Sequence, residues 1–258
     1  MLQPAMMMIV FTVFLGRLAR VPSADLPYPL FVYAGLLPWT FFATAVANAG
    51  NSVVGSERLI TKIYFPRLAI PFAAVGAAII DFGIAMMLLV GMMIWHGIAP
   101  GPWIWIVPLI LILLTLAALG IGALLAALNV AYRDFRYVIP FFLQLWMFAT
   151  PTVYLATAAD EPASEVATAS SVTGSNSADG DRPDGTSVRR HDPGIPDWIK
   201  EMLRLNPLTG LIGVFRAAVL GGPLSLSRLA WSAAGCVAFF VIGCLYFRRV
   251  EDSFADII

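Results

Sequence analysis

WIWIVPLILILLTLAALGIGALLAAL, residues 103–128, carries no charge over ~26 positions, more than the ~20 that a helix needs to cross a bilayer. It predicts a transmembrane helix. Residues 68–95 form a run of similar length whose one ionisable side chain, Asp81, lies near the middle. Apolar runs bounded by charge, Pro or Gly recur at 2–16, 30–49, 139–157 and 229–247, so the chain reads as an all-α, six-span polytopic membrane protein. Composition agrees: hydrophobic residues make up 59% and charged residues 12% of the 258, and mean hydropathy is +0.82.

The formal net charge is zero, which leaves no basic face for a nucleic-acid partner. Cys236 and Cys244 would lie ~12 Å apart along one helix axis, beyond disulfide reach, so no redox pair is expected. Asp179, Asp181 and Asp184 precede Gly185 but lack the closing ligands of a calcium loop, and no metal site is expected. The first apolar run has no basic n-region before it, so it is read as a helix and not as a signal peptide.

Charge location sets the orientation. One set of loops and ends holds Arg58, Lys62, Arg67, Arg133, Arg136, Arg248 and Arg249, whereas the opposite short loops hold Arg17 and Arg20. The positive-inside rule makes the first set cytoplasmic, with both termini. The long fifth loop then lies outside. Residues 158–194 are rich in Ser, Ala, Asp and Gly without an aromatic, a composition expected to stay disordered. Residues 195–222 differ: Trp198, Ile199, Met202 and Leu203 share a helical face, Asn206-Pro207 breaks the chain, and an apolar stretch too short to span follows. This pair of segments is expected to be re-entrant or interfacial. The chain thus divides into residues 1–157 with five spans, an insert at 158–194, gate helices at 195–222, a last span at 229–247 and a tail at 248–258.

Residues 56–67, SERLITKIYFPR, mix cations with apolar positions; Ser56 suits an N-cap and Pro66 a helix stop. Periodicity alone favours an amphipathic interfacial helix, with a docking helix for a cytoplasmic partner as the sharper reading. Asp81 would cost at least ~2.5 kcal/mol at the bilayer midplane and is expected to be a buried polar group, bonded within the bundle to Thr40, Thr44, Asn48 or Asn51 or across a dimer. With no second ionisable partner in the spans it makes a poor proton relay. Trp39, Trp103, Trp105, Trp146, Tyr154 and Trp198 suit either sugar stacking or an interfacial belt, and Trp103 and Trp105 at a helix start fit the belt.

Tyr64-Phe65-Pro66-Arg67, then Leu128-Asn129-Val130-Ala131-Tyr132-Arg133-Asp134-Phe135-Arg136-Tyr137, then Leu205-Asn206-Pro207-Leu208-Thr209-Gly210 with Phe215-Arg216, resemble in order and spacing the ABC transporter permeases that export polysaccharides and polyol phosphates. Tyr28-Pro29-Leu30, Gly35-Leu36-Leu37-Pro38-Trp39 and Pro140 to Trp146 extend the resemblance over nearly all the chain except the insert. It implies a homodimeric inner-membrane permease that moves a lipid-linked glycan, such as an O-antigen, capsule or teichoic-acid-like polymer. A separate ABC ATPase subunit would bind ATP and Mg, because this chain has no GxxxxGK[ST] phosphate loop and no cofactor of its own is expected. The chain is therefore expected not to be an enzyme. An ABC-type efflux permease for a drug or small lipid is the alternative.

By the same resemblance, Ser56, Glu57, Arg58, Leu59, Lys62, Tyr64, Pro66 and Arg67 form the ATPase-coupling helix, supported by Arg133, Asp134 and Arg136. Gln144 and Trp146 would line the pathway along the first and fifth spans, and Trp198, Asn206, Pro207, Phe215 and Arg216 would build the outer gate. Relatives begin with a longer first segment, so the resemblance also implies a first helix truncated at its start.

Overall fold

The computed structural model describes residues 27–56, 67–132, 134–150 and 206–251, together with Met6, Ile9 and Val10. These residues form six α-helices and no strand: α1 Tyr28–Gly55, α2 Ala69–Trp95, α3 Val107–Ala131 after a 3-10 turn at Ile104–Ile106, α4 Phe135–Phe148, α5 Pro207–Leu220 and α6 Leu226–Val250.

Among the described residues, four helical stretches are long and apolar enough to cross a membrane: Pro29–Gly55, Ala69–Trp95, Ile104–Ala131 and Leu226–Val250. They correspond to the expected second, third, fourth and sixth spans. Of the expected first span only Met6, Ile9 and Val10 are described, and the insert at 158–194, Trp198 and most of the coupling segment lie outside the described residues. Of the expected fifth span, 139–157, residues 139–148 belong to the helix Phe135–Phe148, and 151–157 lie outside the described residues. Helices dominate because lipid offers no partner for a free N–H or C=O, so the backbone must bond to itself.

Burial sorts the helices. The most apolar windows of α1 and α3 are 78% and 67% buried inside the chain, and those of α2 and α6 22% each. The α1–α3 pair is the centre, with α2 laid against α1 and α6 against α3. The core runs through Leu30, Tyr33, Leu37, Phe42 and Val46 of α1 and Ile110, Leu114, Ala117 and Ala118 of α3. Helix α6 crosses α3 where Gly120 faces Gly243: a Cβ on either glycine would collide with the other helix's backbone. Without a hydrophobic force between lipid-solvated helices, such small-residue approach supplies the packing.

Trp95, Trp103 and Trp105 are exposed at the α2–α3 connection, as an interfacial belt requires. Both cysteines lie on α6, Cys236 buried and Cys244 half-buried.

Candidate functional site

Two polar assemblies stand out from the apolar packing among the described residues, one at an end of the bundle and one inside it. The first lies where α1 and α3 finish and α2 and α4 begin. Helix α1 ends at Gly55, with the Ser56 N–H bonded to the Val53 carbonyl at 3.1 Å. The chain returns at Arg67, whose Nη1 donates to the Glu251 carbonyl at the end of α6. One turn deeper, Asn129 of α3 donates through Nδ2 to the Gly50 carbonyl at 3.1 Å and to Asn51 Oδ1 at 3.2 Å. Asp134 and Arg136 are exposed at the start of α4. Of the expected coupling residues, the structure therefore places Ser56, Arg67, Asp134 and Arg136 at one end; Glu57, Arg58, Leu59, Lys62, Tyr64, Pro66 and Arg133 lie outside the described residues.

The second assembly joins the last residues of α4 to the start of α5. Asn206 is the N-cap of α5: its Oδ1 accepts from the Leu208 N–H at 3.2 Å, and Pro207 follows at the first helical position, where its missing N–H leaves nothing unsatisfied. Its Nδ2 donates to Thr150 Oγ1 at 3.0 Å, and the fully buried Thr150 hydroxyl donates in turn to the Trp146 carbonyl at 3.0 Å. Pro207 packs on α6 at Gly235, where a Cβ would come within 2.8 Å of the ring. That contact sits several turns inside α6, so α5 starts below the mouth of the bundle. It ends at the mouth, with the Gly101 N–H bonded to the Val219 carbonyl at 2.9 Å and Gly221 at φ 86° closing the helix. The cap matters because the first N–H groups of a helix have no partner within it.

Along α5 the expected gate residues turn inward. Phe215 is fully buried edge-on to Phe82, ring centroids 6.2 Å apart, and Arg216 is 4% exposed with its guanidinium carbon 3.8 Å from the Phe31 ring centroid. A cation over an aromatic face replaces part of the lost hydration. Trp146 is half-buried among Phe42, Phe142 and Phe239, with centroids 5.4, 5.2 and 6.2 Å away, so much of its ring is committed to packing. Trp39 is core, at 3% exposure. Gln144 is exposed on α4 beside Phe141, Leu145 and Phe148.

Asp81 departs from one of the two placements expected for it, a bond within the bundle. It is exposed, not buried, and among the described residues Thr40 and Asn51 bond elsewhere, to the Leu37 and Ala47 carbonyls. The reason is register: α2 buries Val75, Ala78, Phe82, Leu89 and Met93, and at 100° per residue Asp81 points roughly 90° away from the centre of that arc. Asn129, Thr150, Phe31 and the Glu251 carbonyl were not singled out by sequence reasoning. A polar residue inside an apolar run was the available signal for Asn129; nothing in the sequence pointed to Phe31.

No family model matches the chain. Proteins named O-antigen export system permease protein RfbA do. The one from Myxococcus xanthus is 31% identical over 169 residues, covering 63% of this chain and 62% of its own length. Two from Klebsiella pneumoniae are 23% identical over 232 residues, 90% of this chain and 76% of theirs. The matched region thus spans less than two thirds of the Myxococcus relative. The chain is therefore similar to permeases of O-antigen export systems, and its long apolar helices agree with that likeness.

Proposed function

We propose that the chain is the permease subunit of an exporter that moves a lipid-linked polysaccharide outward across the inner membrane, driven by ATP that a separate ATPase subunit binds with Mg. Similarity over 90% of the chain to permeases named for O-antigen export carries this reading. The two junctions support it, because a transporter of this kind needs one polar assembly for energy input and another for access.

In this reading the end holding Ser56, Arg67 and Asn129 is cytoplasmic, with both termini, and segment 56–67 docks in the ATPase. Two copies of the chain form the conduit. Helix α5, entered from outside and capped at depth by Asn206, is the re-entrant part of the outer gate, and its link through Thr150 lets a tilt of α4 move it. Arg216 contributes positive charge beneath the outer mouth, screened on one face by Phe31. The chain's own residues transmit movement and shape the path; the hydrolysis occurs in the partner.

The test is copurification and ATP hydrolysis of the permease with its cognate ATPase in proteoliposomes, with and without lipid-linked glycan. Glycan stimulation of hydrolysis is expected, and the Arg58→Glu, Lys62→Glu pair is expected to abolish copurification while the permease still inserts. A native complex indifferent to glycan overturns the cargo assignment, and unchanged copurification of the double variant overturns the docking role of 56–67.

A further inference from the structure

The segment between Ser56 and Arg67 is the short connection between α1 and α2, so any force applied to it enters the bundle through two helix ends. At the α2 end, Arg67 holds the Glu251 carbonyl of α6, which ties the two outer helices. At the α1 end the link is Asn129. It is 1% exposed, and its amide reaches from α3 to two consecutive residues of α1, the Gly50 carbonyl and the Asn51 side chain. Asn51 is itself oriented by donating to the Ala47 carbonyl at 2.9 Å, which leaves its oxygen turned to Asn129. Gly50 is also the point where a third helix closes in: a Cβ there would stand 2.9 Å from Ile139 Cδ1 of α4 and 3.3 Å from Leu125 Cβ of α3. A buried polar group bonded on its far side in an apolar setting has no solvent alternative, so sliding α1 against α3 would strand it.

We propose that Asn129 is a positioning residue for energy coupling: it latches the end of α1 to α3, so that displacement of segment 56–67 moves the central pair, with α4 against it, as one body. This rests on the export reading above. Apolar packing alone resists separation of α1 and α3 but tolerates sliding, whereas two directed hydrogen bonds define their register. Without the latch the α1 end can follow the ATPase while α3 stays behind, and hydrolysis proceeds without a matching change in the conduit.

The test has two arms. In nanodiscs, the full chain with Cys236→Ala and Cys244→Ala carries spin labels at Gly55→Cys, where an added Cβ meets nothing within 4 Å, and at the exposed Tyr132→Cys. Asn129→Leu, of similar volume, is expected to broaden the interlabel distance distribution; an unchanged distribution overturns the latch. Asn51→Ala removes one of the two bonds at a half-buried position and is expected to broaden it less. Should Asn129→Leu fail to fold, an unchanged distribution in Asn51→Ala overturns the latch instead. In proteoliposomes with the cognate ATPase and lipid-linked glycan, Asn129→Leu is expected to keep complex formation and ATP hydrolysis while glycan exported per ATP falls about tenfold. An unchanged ratio overturns the coupling role. A native complex that hydrolyses ATP without moving glycan overturns the export reading, and the labels still decide the latch.

Discussion

A guanidinium at 4% exposure inside an apolar bundle needs an attractive surface in place of the water it has left, and the Phe31 ring 3.8 Å from the Arg216 carbon is one such surface. Replacing the ring by leucine keeps the site apolar and removes the π face, at the cost of some packing volume, which the cycle with Arg216 separates. Phe31→Leu is expected to destabilise the detergent-solubilised protein by ~2 kcal/mol, and a double-mutant cycle with Arg216→Met should show coupling between the sites; additive losses in thermal unfolding would remove the contact from the account. Asp81 presents the opposite case, a carboxylate on the outward face of α2. Asp81→Leu is expected to favour membrane insertion by at least ~2.5 kcal/mol, read as a higher inserted fraction. A lower yield of assembled protein would instead identify a partner for Asp81 on another chain. Asp81 was conspicuous in the sequence, but its environment was not: a residue's neighbours inside a span follow from the rotation of its helix, which packing sets. Phe31 was invisible, being one of 17 phenylalanines.

At the scale of elements, apolar runs located the long helices to within a few residues, because a backbone in lipid has to continue as helix until it reaches water or a cap. Helix α1 runs on to Gly55, past the expected end at 49, since Asn51 and Ser52 return their side chains to the Ala47 and Ala49 carbonyls and need no water. Helix α4 ends at Phe148, and the residue that follows its last turn, Thr150, is bonded to the N-cap of α5, Asn206. No periodicity in 139–157 could report that, because the partner cap stands 56 residues away. The α3–α6 crossing supplies the prediction at this scale. Gly120→Ala and Gly243→Ala are each expected to cost ~1–3 kcal/mol and lower the unfolding temperature, because the added methyl meets backbone that cannot rotate away. Gly76→Ala, with open space around its Cβ, serves as the matched change and is expected to be neutral or slightly stabilising. Equal effects at all three positions would show that the crossing is not the tight point.

For the whole molecule, residues 158–194 read as an insert without the means to build a core, placed between α4 and α5, whose facing ends are already held together by Asn206 and Thr150. Closing that gap with a short Gly-Ser linker is therefore expected to leave insertion, assembly and export within about twofold of the native protein, since loop length changes closure entropy only slowly. Loss of export at normal expression would assign the insert a role of its own. What the sequence by itself determined is the apolar, helical character, the places of four long helices and the shortness of α5, because the apolar length of a segment decides whether it can cross lipid. The tertiary structure alone decided which side chains meet. Asn129 finds Asn51 across 78 positions and Arg67 finds Glu251 across 184, while Asp81 is turned outward. Those pairings depend on the rotation and depth at which each helix packs, and in lipid these are set by small-residue approach and directed hydrogen bonds between helices, quantities that no single segment contains.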